Sequence, residues 1–179
     1  EMLPYSRRAF ESYLEGKEYE EIASSEVWYE ERTDFSRAAA GTDRISHKEV
    51  RGYELLQGKK VFEGRLLGGC LESLYDILTT TRYADEKAVC EKYGIFPPRE
   101  EWTGKILFVE TCEEKPRPAL FEKELEALKA RGVFDVVAGV IVGKPQDEAF
   151  YEEYKEIWQK TVNNDQLPIA VSYTHLTLP

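Results

Sequence analysis

Over residues 4–15 the side chains of Tyr5, Ala9, Phe10, Tyr13 and Leu14 recur at helical spacing, which predicts a short amphipathic helix. Residues 24–52 lose that order. Gly41, Thr42, Asp43 and Ser46 mark turns there, and the stretch predicts strand pieces plus a connector between two domains. Residues 61–67 predict a strand ended by Gly68-Gly69, and Leu71, Leu74, Tyr75 and Leu78 at i, i+3, i+4 and i+7 predict a helix directly after it. Residues 82–103 read as an insertion, a short charged helix followed by a Pro97-Pro98 break. Beyond Gly104 the pattern sharpens. A strand at 106–110 precedes a helix with Phe121, Leu125 and Leu128 on one face, closed by Gly132. A buried strand at 136–142 then ends in Gly143-Lys144-Pro145. The next helix, at 147–162, presents Tyr151, Tyr154, Ile157, Trp158 and Val162, and a last strand covers 167–171. Strands alternating with helices at this spacing predict an α/β fold with parallel pairing.

Composition narrows the function classes. A chain of 179 residues with 42% hydrophobic and 32% charged residues can bury one full core. Its net charge of −10 argues against a binder of phosphate backbones, which needs clustered Lys and Arg. No apolar run reaches the ~20 residues that span a bilayer, and no signal-peptide pattern opens the chain, so the expected location is the cytoplasm. Cys70, Cys90 and Cys112 are odd in number and widely spaced, which predicts reduced thiols rather than a disulfide frame or a zinc site.

Few motifs compete for chemistry. Gly68-Gly69 before a helix could face an anion, but neither a GxGxxG nor a GxxxxGK[ST] pattern is present, and Pro145 stands where a P-loop helix would begin. The two glycines read as a tight strand-to-helix turn. GxSxG is absent, His47 reads as an exposed loop residue, Cys112 as a small buried apolar residue, and the charge run at 148–156 as a solvated helix face. Glu110 is different, because it closes an apolar strand where α/β sites gather. Two readings stay open on pattern alone. It caps the following turn, or it orients a histidine for general-base catalysis.

The order of motifs resembles the serine LD-carboxypeptidase family, which includes the microcin-immunity proteins. The resemblance rests on residues 64–70 (GRLLGGC), Gly104 to Glu110 (GKILFVE), Gly132-Val133-Phe134 and Val140-Ile141-Val142-Gly143-Lys144, and it covers roughly residues 60–170. Cys70 stands where many relatives have Asn. By that resemblance, residues 56–171 form the swivelling β/β/α-type carboxy-terminal domain. Residues 1–55 are then the end of a flavodoxin-like amino-terminal domain plus a connector, and 171–179 read as non-native junction sequence. Both ends read as cut. The resemblance implies a Ser–His–Glu triad assembled across the domain interface, with Glu110 as its acidic member. It places the serine nucleophile upstream of this chain and the histidine near His175, although Tyr173-Thr174-His175-Leu176 lacks the family's glycine. No cofactor or metal is expected. The implied substrate is a peptide with a D-residue carboxyl end, or a peptidyl-nucleotide antibiotic, and the implied full-length enzyme is a homodimer that contacts neither nucleic acid nor membrane. The reading from another class is a non-catalytic α/β binding module in which Glu110 is only a cap.

Overall fold

The computed structural model describes residues 3–16, 23–30, 32–80 and 82–173, with residues 172 and 173 by backbone alone. A five-stranded sheet organises residues 54–173. In chain order the elements are helix α1 (Pro4–Leu14), strands β1 (Val27–Tyr29), β2 (Ser46–Lys48), β3 (Glu54–Gln57) and β4 (Leu66–Cys70), and helices α2 (Leu71–Thr79) and α3 (Glu86–Tyr93). They continue with β5 (Ile106–Glu110), α4 (Pro118–Ala130), β6 (Gly139–Gly143), α5 (Tyr151–Val162) and β7 (Ile169–Tyr173). The sheet runs β3-β7-β6-β5-β4, while β1 and β2 form a separate antiparallel ribbon. β4, β5, β6 and β7 are parallel neighbours, and β3 alone runs antiparallel, against β7. The expected α/β class with parallel pairing is present.

Helices α2, α4 and α5 cover one face. Leu107 and Val109 of β5, Val140 and Val142 of β6, and Ile169 and Val171 of β7 pack there with Leu71, Phe121, Leu125, Leu128 and Trp158. Helix α4 begins with Pro118 at its first turn and buries Phe121, Glu124, Leu125 and Leu128, one stripe at helical spacing. After its last turn Gly132 adopts φ +70°, and its N–H donates to the Lys129 carbonyl at 2.8 Å, so the expected glycine stop is in place. The alternation of a strand sends Ile106, Phe108 and Glu110 to the face opposite Leu107 and Val109.

Several boundaries differ from the sequence reading. β4 covers 66–70, so Gly68-Gly69 lie inside the strand and are not the turn. Close approach is the reason: a Cβ on Gly68 would stand 1.9 Å from the Phe108 carbonyl oxygen of β5. Residues 61–65 precede the strand, with Val61 exposed and Phe62 packed where a Gly139 side chain would be. The strand expected at 136–142 begins only at Gly139, because residues 133–135 form a 3-10 turn. The helix expected from 147 begins at Tyr151, after a 3-10 turn at 146–148. β3 has no counterpart in the sequence reading. Helix α1 forms as expected, yet none of its residues is buried among the described ones.

Candidate functional site

Glu110 is the last residue of β5, half-buried on the face opposite Leu107 and Val109. Its neighbour across the ladder is the end of β6, where Gly143 leaves room: a Cβ there would lie 3.2 Å from the Glu110 Cβ. On the other side it pairs in register with Cys70 of β4. Among the described residues the Glu110 carboxylate has no hydrogen-bond or ion-pair partner. The turn after β5 is capped instead by Glu72, in the first turn of α2, whose Oε1 accepts the Cys112 N–H at 3.0 Å. A carboxylate that spends no lone pair on the fold is available to orient a partner from outside it.

The thiols near Glu110 are held in the protonated form. Cys70 Sγ donates to Glu72 Oε2 at 3.2 Å. Burial, then the Glu72 carboxylate and the neighbouring Cys70, push the Cys112 thiol up to about 12. Cys112 is therefore a poor nucleophile at neutral pH. Beneath Glu110, toward the helices, lies a cavity of about 20 Å³ lined by Val109, Phe121, Val142, Tyr154 and Trp158 among others, which is room for about one water. The Trp158 Nε1–H, buried without a partner, belongs to this lining.

A second cluster lies just past Gly143. The Lys144 ammonium sits between Glu49 and Glu148 and 5.0 Å from the Trp28 ring centroid, and Trp28 stacks on His47 with centroids 4.2 Å apart. His47 is thus a half-buried member of β2 rather than an exposed loop residue, with Nε2 2.7 Å from Glu30 Oε1. Glu148 and Glu152 are also not a merely solvated face, since both pair with Arg51 of the connector. Sequence reasoning missed Lys144, Glu49 and Glu72 in these roles. Lys144 directly after a buried strand was the one local signal available.

His175 lies outside the described residues. Among the described residues no cluster of His, Cys, Asp and Glu is arranged to hold a metal ion, and no helix is long and apolar enough to cross a membrane.

The family model for the LD-carboxypeptidase C-terminal domain matches residues 63–175. An MccF-like protein from Streptococcus pneumoniae, solved in complex with AMP, is 50% identical with a TM-score of 0.89, over 96% of this chain and 50% of that one. An MccF-like protein from Bacillus anthracis str. Ames is 21% identical with a TM-score of 0.61, over 84% of this chain and 40% of that one. The microcin C7 self-immunity protein MccF, in complex with aspartyl sulfamoyl adenosine, is 21% identical with a TM-score of 0.63, over 97% of this chain and 48% of that one. The two likenesses at 21% identity bear on the fold alone. The chain spans about half the length of these solved structures. Among curated proteins there is no match.

Proposed function

The chain belongs to the LD-carboxypeptidase family, and on that premise we propose that it is the carboxy-terminal part of a serine hydrolase in which Glu110 is the acidic member of the triad. In that division residues 1–55 close the preceding domain and connect it to the unit at 56–171. The single observation that carries the reading is the unpartnered Glu110 carboxylate at the carboxyl end of β5, with Glu72 performing the capping role Glu110 would otherwise have. The bond cleaved is an amide. A serine from the amino-terminal domain attacks it, and a histidine takes the serine proton and passes it to the leaving group. Glu110 accepts the other imidazole N–H, fixing the tautomer and stabilising the imidazolium. Cys112, beside it and protonated, does not compete as nucleophile.

The substrate class favoured is an acidic aminoacyl or peptidyl group joined to a nucleotide. Support comes from the 50% identical MccF-like protein, which is solved with AMP. The family description itself favours a second substrate, an L,D-peptide with a D-residue carboxyl end. The test uses an enzyme in which this chain is joined to its nucleophile domain, offered aspartyl sulfamoyl adenosine and an L,D-tetrapeptide in parallel. Glu110→Gln should lower kcat on the preferred substrate by about 10⁴, or ~5 kcal/mol of barrier, with an unchanged thermal midpoint. Glu113→Gln serves as the control. A Glu110→Gln rate within a few-fold of wild type would show that the strand-ending carboxylate is structural.

A further inference from the structure

The connector between β2 and β3 is fixed to the end of the sheet by two cations from opposite sides. Lys144 lies 2.5 Å from Glu49 Oε2 and 2.6 Å from Glu148 Oε1. Only 6% of the Lys144 side chain and 4% of the Glu49 side chain is exposed. The other Glu49 oxygen accepts the Arg51 and Gly52 N–H groups at 2.8 and 3.2 Å. Burial alone would raise the Glu49 pKa, but the Lys144 and backbone hydrogen bonds hold it below the ordinary carboxylate range. From the connector, Arg51 reaches Glu152 at 2.7 Å and Glu148 at 3.3 Å, with its guanidinium 3.9 Å from the Tyr151 ring centroid.

A buried ion pair adds little stability over an apolar pair of the same volume, because desolvation offsets the attraction. What it supplies is one permitted geometry. Breaking it strands a charge, so the segment it holds cannot slide to a nearby position at low cost. Position supplies the second half of the argument. Lys144 follows Gly143, which packs against Glu110, and its ammonium lies by the Trp28 ring. We propose that Lys144 is a positioning residue: through Glu49 it fixes the β1–β2 ribbon, with Trp28 and His47, beside the strand end that carries Glu110, making the ribbon a wall of the substrate site. The role rests on the reading of Glu110 as part of that site. Lys144 is already neutralised by two carboxylates and touches no reacting atom.

The experiment uses the enzyme in which this chain is joined to its nucleophile domain, and measures amide hydrogen exchange for wild type, Lys144→Met, Lys144→Arg and the Lys144→Met/Glu49→Gln double variant, together with AMP affinity. In Lys144→Met the amides of Arg51, Gly52, Glu30 and Glu49 should lose about 100-fold or more in protection, while Val140 and Ile141 in the sheet keep theirs. Lys144→Arg should stay close to wild type. The double variant, which leaves no stranded carboxylate, should recover part of the loss. AMP affinity should fall about tenfold or more in Lys144→Met and return with Lys144→Arg. Unchanged ribbon protection in Lys144→Met overturns the proposal. So does a loss that reaches the sheet amides equally in all three variants, since Lys144 would then be part of the core. An opened ribbon with unchanged AMP affinity overturns the positioning role. If wild type binds no AMP, the nucleotide reading fails by itself and the exchange pattern decides this proposal.

Discussion

Replacing Glu124 with glutamine should stabilise the protein at neutral pH, and the gain should depend on pH in one direction only. Glu124 lies on the buried stripe of α4 with 2% of its surface exposed, and its Oε2 has no hydrogen-bond partner. Burial, then the charges of Glu72 and Asp76 on α2, raise its pKa from 4.5 to about 8. From α5, Tyr154 also faces it, with its own pKa pushed up by burial and by Glu72 and Glu124. The folded protein therefore keeps a neutral carboxyl at pH 7, whereas the unfolded chain ionises it. A folded pKa above the unfolded one means that the full stability is present below about 4.5 and is lost as pH rises through about 8. At ~1.4 kcal/mol per pH unit, the loss at pH 7 is about 3 kcal/mol. For a chain of this length that corresponds to roughly 10 °C in thermal midpoint. Glu124→Gln keeps the shape and removes the titration. At pH 4.5 the two proteins should differ by no more than about 1 kcal/mol, the cost of exchanging one buried polar group for another. Their stabilities should then separate steadily up to pH 8 and run parallel above it. The assay is urea and thermal unfolding of both proteins from pH 4.5 to 9. Parallel curves across the whole range would refute the reasoning, because the carboxyl would then titrate alike in both states.

Two further outcomes, separate from Glu110 and Lys144, follow from the packing of β4 and β5. Gly68→Ala should cost at least ~3 kcal/mol, since the new methyl carbon would stand 1.9 Å from the Phe108 carbonyl oxygen; a urea midpoint within error of wild type would contradict that contact. Cys112, with its thiol pushed up to about 12, should alkylate with iodoacetamide at pH 8 about 1000-fold more slowly than an exposed thiol, and Glu72→Gln should speed the reaction at least ~10-fold. Peptide mass spectrometry resolves the site, and a Cys112 rate unaffected by Glu72→Gln would remove the carboxylate from the explanation.

What the sequence made legible was whatever one face of one element decides. The spacing of Phe121, Leu125 and Leu128 identified the buried stripe of α4, and all three are fully buried. The apolar run closed by Glu110 identified β5 to the residue. Legibility failed where the deciding partner is distant in the chain. Gly68-Gly69 resembled a turn because two glycines are a turn signal. Their real cause is the close passage of β5, which local pattern does not encode. β3 is short and its partner is β7, so no periodicity announced it. The capping role was harder still. Pattern placed Glu110 and a turn together, and only the fold reveals that Glu72, forty positions before Cys112, fills that role. Likewise Lys144 and Glu49 are ordinary surface residue types until the fold puts them together with almost no exposure.

The order of the sheet has a kinetic meaning. β4, β5 and β6 follow one another in both sequence and space, so they can pair as soon as each is made. β7 is synthesised after every other strand of the sheet, yet it lies inside, between β6 and β3. Until it arrives β3 has no partner, and the edge of β6 stays open to any other strand. Loop closure over so long a separation is slow relative to local pairing. The late insertion of β7 is therefore the step expected to limit folding. During that interval the exposed β6 edge is the point at which a second, partly folded copy would pair instead, making aggregation in refolding strongly concentration-dependent.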